Sequence, residues 1–351
     1  MTTKILATIA LGCICYASSA QLKNDSTALI SRPADVGLIY PISTNGAAAA
    51  RYSNLLSLQA IAGVSGSIRA AAFAGVANIV KGDARSGMFA GIANIIGGEA
   101  KGGQFAGIVN IDKKDFTGFQ AAGLLNHTGN VQGVQMAGLS NLTHGESKGV
   151  QIAGLYNKAN NAGTQIAGLI NKAEKVKGLQ ISGLINIADS SDYPIGFINL
   201  IKHGEKSIGI STDQTLNTLL SLRSGGRVLY GIIGMGYHRE GSYDLFALQA
   251  GIGVHLLPIS PSFRINVEAT QLVLTDFSNG HAFTYTLGIL PEVRITSQLA
   301  LFAGPTANLV LDYSHQKFSS LAPHYFWTSR GHSSHFIGAF AGVTGGVTFT
   351  L

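Results

Sequence analysis

The sequence predicts an all-β protein in which a β-solenoid of about nine repeats, 13–16 residues each, is followed by an outer-membrane-type antiparallel β-barrel of about 8–10 strands. Three observations support this prediction. Glycine is frequent, at 45 of 351 residues. A seven-residue pattern recurs through the middle of the chain, and long stretches of alternating apolar and polar residues fill the last third. Charged residues make up only 12%, which excludes a highly charged disordered polypeptide.

These patterns divide the chain into four parts. We expect a signal peptide over residues 1–20, N-terminal strands or a cap over 21–66, the solenoid over 67–203 and the barrel over 204–351. The signal peptide is predicted because Lys4 precedes a short apolar run that ends in small residues, Ser18 and Ala20. The alternative is a lipoprotein cleaved before Cys13. Both cysteines lie in this run, so the mature chain would contain no thiol for a disulfide or a metal.

The repeat reads Gln, an apolar residue, Ala, Gly, an aliphatic residue, any residue and Asn. One copy is Gln104 to Asn110, and nine copies follow one another at spacings of 13 to 16 residues. We expect each copy to form one strand of about eight residues and a polar turn. The recurring positions are Gly75, Asn78, Gly91, Asn94, Gln104, Gly107, Asn110, Gln120, Gly123, Asn126, Gln135, Gly138, Asn141, Gln151, Gly154, Asn157, Gln165, Gly168, Asn171, Gln180, Gly183 and Asn186.

Both faces of such a strand are largely apolar, so no repeat could bury its surface alone. Parallel stacking would cover each coil with the next and align identical side chains in columns. The Gln and Asn columns would then hydrogen-bond along the stack, and the recurring Gly would permit a bend or a close approach of backbones. We therefore interpret Gln and Asn as structural rather than ligand-binding residues. The alternative fold is an antiparallel meander with one strand per repeat.

After Gly204 the hydrophobic period changes to two. Eight segments are predicted as strands: 206–212, 216–223, 226–238, 243–257, 262–274, 282–295, 298–312 and 336–350. Most exceed an ordinary strand and reach the about 9–11 residues needed to cross a bilayer at a tilt. Apolar and polar residues that alternate over this length are typical of outer-membrane barrels. Strands near 35–42 and 55–64 could raise the number to ten, and a soluble β-sandwich is the alternative.

A barrel of this size is expected to fill its lumen with side chains. The polar residues expected to pair there are Arg223, Gln249, His255, Arg264, Glu268, Glu292 and Arg294. Short turns after 257 and 295 and a long loop over 313–335 place the start of the first barrel strand on the periplasmic side. The solenoid would then lie in the periplasm.

The sequence contains no motif of a nucleophile elbow, a His-Glu-x-x-His zinc site or a phosphate-binding loop, so we predict no enzymatic activity and no cofactor. The net charge of +6 is scattered, which argues against nucleic acid as a partner. Loops carry recognition more often than scaffolds do. The candidate recognition loop for an unknown protein or glycan partner contains His315, His324, Tyr325, Phe326, Trp327, His332 and His335. Metal binding by its histidines, or an interfacial position of its aromatic residues, is the alternative.

The repeat Gly-x-Gln-x-Ala-Gly-x-x-Asn resembles that of bacterial cell-envelope surface repeat-containing proteins, which are abundant in Gram-negative bacteria and largely uncharacterised. The segments Tyr40 to Gly46 and Leu301 to Asn308 are similar to the same family. The resemblance implies a location in the cell envelope and no known activity. We therefore predict an outer-membrane protein in which a barrel, surrounded by outer-membrane lipid, anchors a solenoid that acts as a scaffold or interaction surface. The alternatives are a secreted, soluble adhesin-like binding module and a barrel enzyme or small transporter.

Overall fold

A computed structural model describes residues 28–85, 87–240, 243–260, 262–275, 277, 281–312, 324–330 and 336–351. The predicted signal peptide over 1–20 lies outside the described residues. Within the described ranges, the helical structure is one 3-10 helix, Gly46–Arg51. No helix in these ranges has the length and hydropathy needed to cross a membrane.

A parallel β-solenoid of about ten turns occupies residues 30–201, as predicted. Its strands are β1 (Ile30–Ile39), β2 (Ile42–Ser43), β3 (Tyr52–Ser65), β4 (Ser67–Ala74), β5 (Ala77–Val80), β6 (Ala84–Arg85), β7 (Gly87–Ala90), β8 (Ala93–Ile96), β9 (Ala100–Ala106), β10 (Val109–Asp112), β11 (Phe116–Ala122), β12 (Leu125–Thr128), β13 (Val131–Ala137), β14 (Ser140–Thr143), β15 (Glu146–Ala153), β16 (Tyr156–Lys158), β17 (Asn161–Ala167), β18 (Ile170–Lys172), β19 (Lys175–Ser182), β20 (Ile185–Ala188), β21 (Ser190–Ile195) and β22 (Ile198–Ile201).

Each regular coil contains two strands rather than the single strand expected from the sequence. In one coil, β9 ends at Ala106, the chain bends at Gly107 and Ile108, and β10 begins at Val109. Corresponding residues pair in parallel between coils, for example Gln104 with Gln120. This parallel register excludes the meander. The bend interrupts the alternation of faces, so the aliphatic residue after Gly points outward and not toward the core.

Glycine is required at the bend because successive coils approach closely there. A Cβ atom at Gly107 would clash with the carbonyl oxygen of Gly91, and one at Gly123 would clash with that of Gly107. Both carbonyls belong to the preceding coil, so any larger residue would force the backbones apart.

Two hydrogen-bonded amide ladders run through the solenoid core. From Asn78 to Asn199, each Asn Nδ2 donates to the Oδ1 of the Asn in the next coil at 2.8–3.0 Å. From Gln120 to Gln180, each Gln Nε2 donates to the Oε1 of the Gln in the preceding coil at 2.8–3.1 Å. Their donors point in opposite directions along the stack, so the dipoles of the two ladders oppose each other. The ladders predicted from the sequence are thus present.

The N-terminal strands belong to the solenoid rather than to a separate part. Strand β1 pairs in parallel with β3, and β3 pairs in parallel with β4 and β5. The segments near 35–42 and 55–64 are therefore first coils of the stack, and the ten-stranded barrel is wrong. They pair in parallel with the adjacent coil, for example Leu58 with Phe73, so they extend the stack instead of joining the barrel.

A closed antiparallel barrel of eight strands follows. Its strands are β23 (Lys206–Asp213), β24 (Thr218–Gly225), β25 (Leu229–Glu240), β26 (Tyr243–Ser260), β27 (Phe263–Thr275), β28 (His281–Arg294), β29 (Leu299–Asp312) and β31 (Phe336–Thr350), with a short β30 (Trp327–Arg330) beside β31. Strand β23 pairs with β31 and closes the barrel, for example Ile210 with Val347. Closure confirms the barrel and excludes the sandwich.

The last coil of the solenoid packs against the barrel end at which β24, β26 and β28 end. The Nδ2 of Asn199 donates to the Ser224 carbonyl at 3.2 Å, and its backbone N–H donates to Ser224 Oγ at 3.1 Å. Arg227 forms an exposed ion pair with Asp192 at 3.0 Å. Strand β29 ends at Asp312, at the opposite end of the barrel.

Candidate functional site

An apolar groove runs along the outside of the solenoid. The residue between the inward Gln and Ala points outward in every coil, so these residues form a column. Phe73, Phe89 and Phe105 stack with ring centroids 4.9 and 5.2 Å apart, and the column continues with Met136 and Ile152 in later coils. Phe73 and Met136 remain 43% and 40% exposed. Stacking thus leaves one apolar face uncovered, although the sequence suggested that it would bury both.

The floor of this groove consists of the recurring Ala and Gly residues, and its volume is about 1230 Å³. Among the described residues that line it, only Gln59 is polar and none is charged. The lining strands pair with neighbours on both sides, as β11 does with β9 and β13. Backbone N–H and C=O groups are therefore engaged along the stack, and the groove offers apolar contact rather than hydrogen bonds.

A second apolar row follows the bend of each coil. Leu124, Leu155 and Leu184 are 44%, 42% and 47% exposed, and the row ends at Phe197, which is 55% exposed. Phe197 lines a depression of about 600 Å³ together with apolar residues of the barrel, among them Met235. The apolar surface of the solenoid is therefore continuous with the outer surface of the barrel.

The outer surface of the barrel is apolar over most strands. Exposed side chains occur on β23, β24, β25, β26, β28, β29 and β31, and they are 37–64% exposed; they include Ile208, Ile210, Leu220, Met235, Phe246, Leu248, Ile252, Tyr285, Leu287, Ile289, Leu301, Leu309, Val343 and Val347. So large an exposed apolar surface is unusual for a soluble monomer and marks an interaction with a membrane or a partner.

The barrel lumen is polar at the end nearest the solenoid. The guanidinium group of Arg223 binds both carboxylate oxygens of Glu268, at 2.8 and 3.2 Å, and Tyr230 Oη donates to Glu268 at 2.9 Å. Arg264 makes the same two-point contact with Glu292, at 2.9 and 3.1 Å. Arg223 and Arg264 are therefore each paired with a carboxylate on another strand.

A loop residue joins this lumenal network to the base of the barrel. Glu205 accepts a hydrogen bond from Arg264 at 3.1 Å and lies 3.4 Å from His255 Nε2. His255 Nδ1 contacts Asn266 Oδ1 at 2.8 Å, and Asn266 donates to Glu292 at 2.8 Å. Glu205 was missed from the sequence because it precedes the first strand and shows no alternation.

The opposite half of the lumen is filled by an apolar cluster. It consists of Leu219, Leu245, Ala247, Leu272, Leu274, Ala282, Val310 and Phe340. A cavity of only about 50 Å³ lies between the cluster and the network. That space holds one or two water molecules, so the described lumen is filled, as expected for eight strands.

Two residues predicted to pair in the lumen are not part of the network. Arg294 is exposed because β28 ends at this residue and its side chain extends beyond the wall. Gln249 lies in the lumen as predicted, where it lines the small cavity together with Arg223 and Glu268, but in the described part of the chain no ion pair or hydrogen bond joins it to them. Of the seven predicted residues, Arg223, His255, Arg264, Glu268 and Glu292 are brought together.

The candidate recognition loop is only partly described. His315, His332 and His335 lie outside the described residues, and His324 is exposed. Tyr325 packs edge-on against Phe336 and Phe340, at 5.2 and 5.6 Å between centroids, so it closes the apolar cluster instead of facing solvent. Phe326 and Trp327 are exposed, at 68% and 52%. In the part of the chain that the structure covers, no group of three or more His, Cys, Asp or Glu side chains is placed to hold a metal ion.

One buried carboxyl group in the solenoid was not anticipated. Asp112 accepts hydrogen bonds from Gln104 Nε2 at 3.0 Å and from Gln120 Nε2 at 2.6 Å. Burial raises the pKa of Asp112 from 3.8 to about 7, and the Gln104 hydrogen bond opposes this rise only in part. The signal in the sequence is an acid where the two preceding coils have Val80 and Ile96.

Asp112 marks the boundary between two kinds of solenoid core. Before it, the residues at the Gln position are Ala72 and Met88, and the core is an apolar cluster that includes Ile68, Val80 and Ile96. After it, the Gln ladder begins. The Asp112 carboxylate thus accepts the hydrogen bonds of Gln104 and Gln120 at the end of the Gln ladder that adjoins the apolar core.

No family model and no curated protein matches this sequence. Among solved structures, the chain is similar to the crystal structure of the N-terminal β-barrel domain of Pseudomonas aeruginosa OprF. The two share 10% sequence identity with a TM-score of 0.27, over 42% of this chain and 98% of that chain.

Proposed function

We propose that the protein is a non-enzymatic outer-membrane protein in which the barrel is an anchor in lipid and the solenoid is a scaffold or interaction surface. The observation that carries the proposal is the closed eight-stranded barrel with an apolar outer face and a filled, polar and apolar interior. A closed barrel satisfies all backbone groups within the bilayer. An outer face of this kind would be stable against acyl chains and unstable in water.

The position of the solenoid supports a periplasmic location. It packs against the barrel end at which β24, β26 and β28 end, and only short segments separate each of these strands from the next. Strand β29 ends at the other end, and the long segment 313–335 separates it from β31 in the sequence. Bacterial barrels place short turns in the periplasm and longer loops outside. The exposed Phe326 and Trp327 near the long-loop end suit the aromatic girdle at a membrane interface.

The filled lumen supports an anchor rather than a transporter. A cavity of about 50 Å³ leaves no passage for a solute. Arg223 and Arg264 are paired with Glu268 and Glu292. The repeats also resemble those of cell-envelope surface proteins, which agrees with an envelope location.

Fractionation of cells tests the proposal. We expect the protein in the outer-membrane fraction after a carbonate wash, with a heat-dependent mobility in SDS gels. A protease site inserted in the turn at Asn160 should be cleaved only after the outer membrane is breached. Recovery from the culture supernatant would instead favour the soluble adhesin-like module. Cleavage on intact cells would place the solenoid on the surface.

A further inference from the structure

We propose that the apolar groove of the solenoid binds the acyl chains of a membrane lipid. The proposal rests on the proposed function in one respect, since the barrel must hold the solenoid next to a bilayer. Otherwise it stands on the chemistry, the length and the position of the groove.

The chemistry of the groove suits a ligand that makes no hydrogen bonds. Its walls are aromatic and aliphatic side chains, its floor is Ala and Gly, and none of its described lining residues is charged. A peptide strand would need free backbone groups at a sheet edge for pairing. Here the lining strands from β3 onward are already paired on both sides, as β13 is with β11 and β15. The first strand, β1, pairs on its outer side with β2 at Gly37, which lines the groove. An acyl chain requires only apolar contact.

The length of the groove suits an extended acyl chain. Six coils, from Phe73 to Ile152, contribute to the outward column. Five steps at the spacing of paired strands, about 4.8 Å each, give roughly 24 Å. One leaflet of a bilayer is about 15 Å deep, half of a hydrocarbon core of about 30 Å. An extended acyl chain as long as one leaflet is deep is therefore shorter than the groove, and the whole chain fits within it.

The position of the groove connects it to the barrel. The exposed row of Leu155, Leu169, Leu184 and Phe197 leads from the groove to the last coil. Phe197 then shares a depression with outward residues of the barrel, such as Met235. An acyl chain could leave the surface of the barrel and reach the groove over continuous apolar surface, without crossing water.

Photocrosslinking of the full chain tests this assignment. The protein is reconstituted in vesicles of phosphatidylethanolamine and phosphatidylglycerol that contain a phosphatidylethanolamine with a diazirine at the end of one acyl chain. After irradiation, labelled peptides are mapped by mass spectrometry. We expect labels near Phe105 and Met136 in the groove, and near Leu287 on the barrel.

Two variants sharpen the test. In Met136→Glu, a charge would lie against the acyl chain, so groove labelling should fall by about tenfold or more while barrel labelling is unchanged. Leu179→Glu is the matched control, because Leu179 is 44% exposed but does not line the groove. It should leave both sites labelled. Hydrogen exchange of the Asn ladder peptides checks that both variants remain folded.

The possible outcomes separate the two proposals. Labelling of the barrel without the groove would overturn the acyl-chain site and leave the membrane anchor intact. Equal groove labelling in Met136→Glu and in the unmodified protein would also overturn the acyl-chain site. Absence of labels on the barrel would contradict the proposed membrane anchor itself.

Discussion

Buried polar side chains are satisfied differently in the solenoid and in the barrel. In the solenoid, Asn126 hydrogen-bonds to Asn110 and Asn141, the corresponding residues of the coils on each side. In the barrel, Arg223 is neutralised by Glu268 on a strand 45 residues later. The first solution repeats along the chain and needs only a constant spacing. The second is unique and needs a closed wall that brings particular strands together.

The same contrast determines how far the destabilising effect of a substitution should extend. Solenoid coils contact mainly their neighbours, so a lost contact acts locally. The barrel closes through β23 and β31, so every strand depends on the integrity of the ring. Destabilising substitutions in the solenoid should therefore affect only nearby coils, whereas those in the barrel should affect the whole barrel.

The largest effect is expected from Glu268→Ala. It would leave Arg223, 5% exposed, and the hydroxyl of Tyr230 without their carboxylate. Removing one partner of a buried ion pair costs about 3–5 kcal/mol. Urea unfolding in detergent, followed by the fluorescence of the single tryptophan, Trp327 in β30, measures the loss.

Two comparisons define this result. The double variant Arg223→Met, Glu268→Leu should recover most of the stability, because it removes both charges. Asp192→Asn, which breaks the exposed pair with Arg227, should cost less than about 1 kcal/mol. Equal losses for Glu268→Ala and Asp192→Asn would contradict a buried network.

The next effect is a pH dependence from Asp112. Its pKa is about 7 in the folded solenoid and 3.8 is its ordinary value, so the folded state binds the proton more tightly than the unfolded chain. The protonated carboxyl group stabilises the folded solenoid fully below about pH 4, and this stabilisation is lost as the pH rises to about 7. At about 1.4 kcal/mol per pKa unit, the loss of stability accumulated by pH 7 is about 4 kcal/mol.

Hydrogen exchange of peptides spanning Gln104 to Thr128, corrected for the intrinsic rate, measures this dependence at pH 5 and pH 7. Asp112→Asn should abolish the decline, because an amide oxygen still accepts from the Gln ladder but cannot ionise. The exposed Asp115→Asn should keep it. Protection that is equal at both pH values in the unmodified protein would sink the prediction.

A smaller loss is expected from Asn126→Ala in the middle of the ladder. It leaves the Nδ2 of Asn110 and the Oδ1 of Asn141 without their ladder partner. We expect a cost of about 2–3 kcal/mol, seen as faster hydrogen exchange in the two adjacent coils. Asn160→Ala, in an exposed turn, should change protection by no more than about 0.5 kcal/mol. Equal effects of the two variants would argue against the ladder.

The ladders, the parallel stack and the eight barrel strands could be predicted from the sequence because each depends on a regular period. The failures occur where a period is interrupted. Ile108 follows a Gly bend, so it points outward although alternation places it inside. Arg294 ends its strand and leaves the lumen. Tyr325 turns back onto Phe340 through a tertiary contact, and no local pattern specifies such a contact.

The smallest effect should come from Gly123→Ala, which tests whether destabilisation of the solenoid extends to the barrel. The added Cβ would meet the carbonyl oxygen of Gly107 in the preceding coil, so the backbones must separate at a cost of about 1–3 kcal/mol. Hydrogen exchange should increase in the coils around the bend, while Trp327 fluorescence during urea unfolding stays unchanged. The matched control is Gly288→Ala inside the barrel, where the nearest atoms, at 3.4 Å, are in ordinary contact. It should be nearly neutral. If Gly123→Ala also destabilised the barrel, the two regions would unfold as one unit, and local damage could not be a property of the solenoid alone.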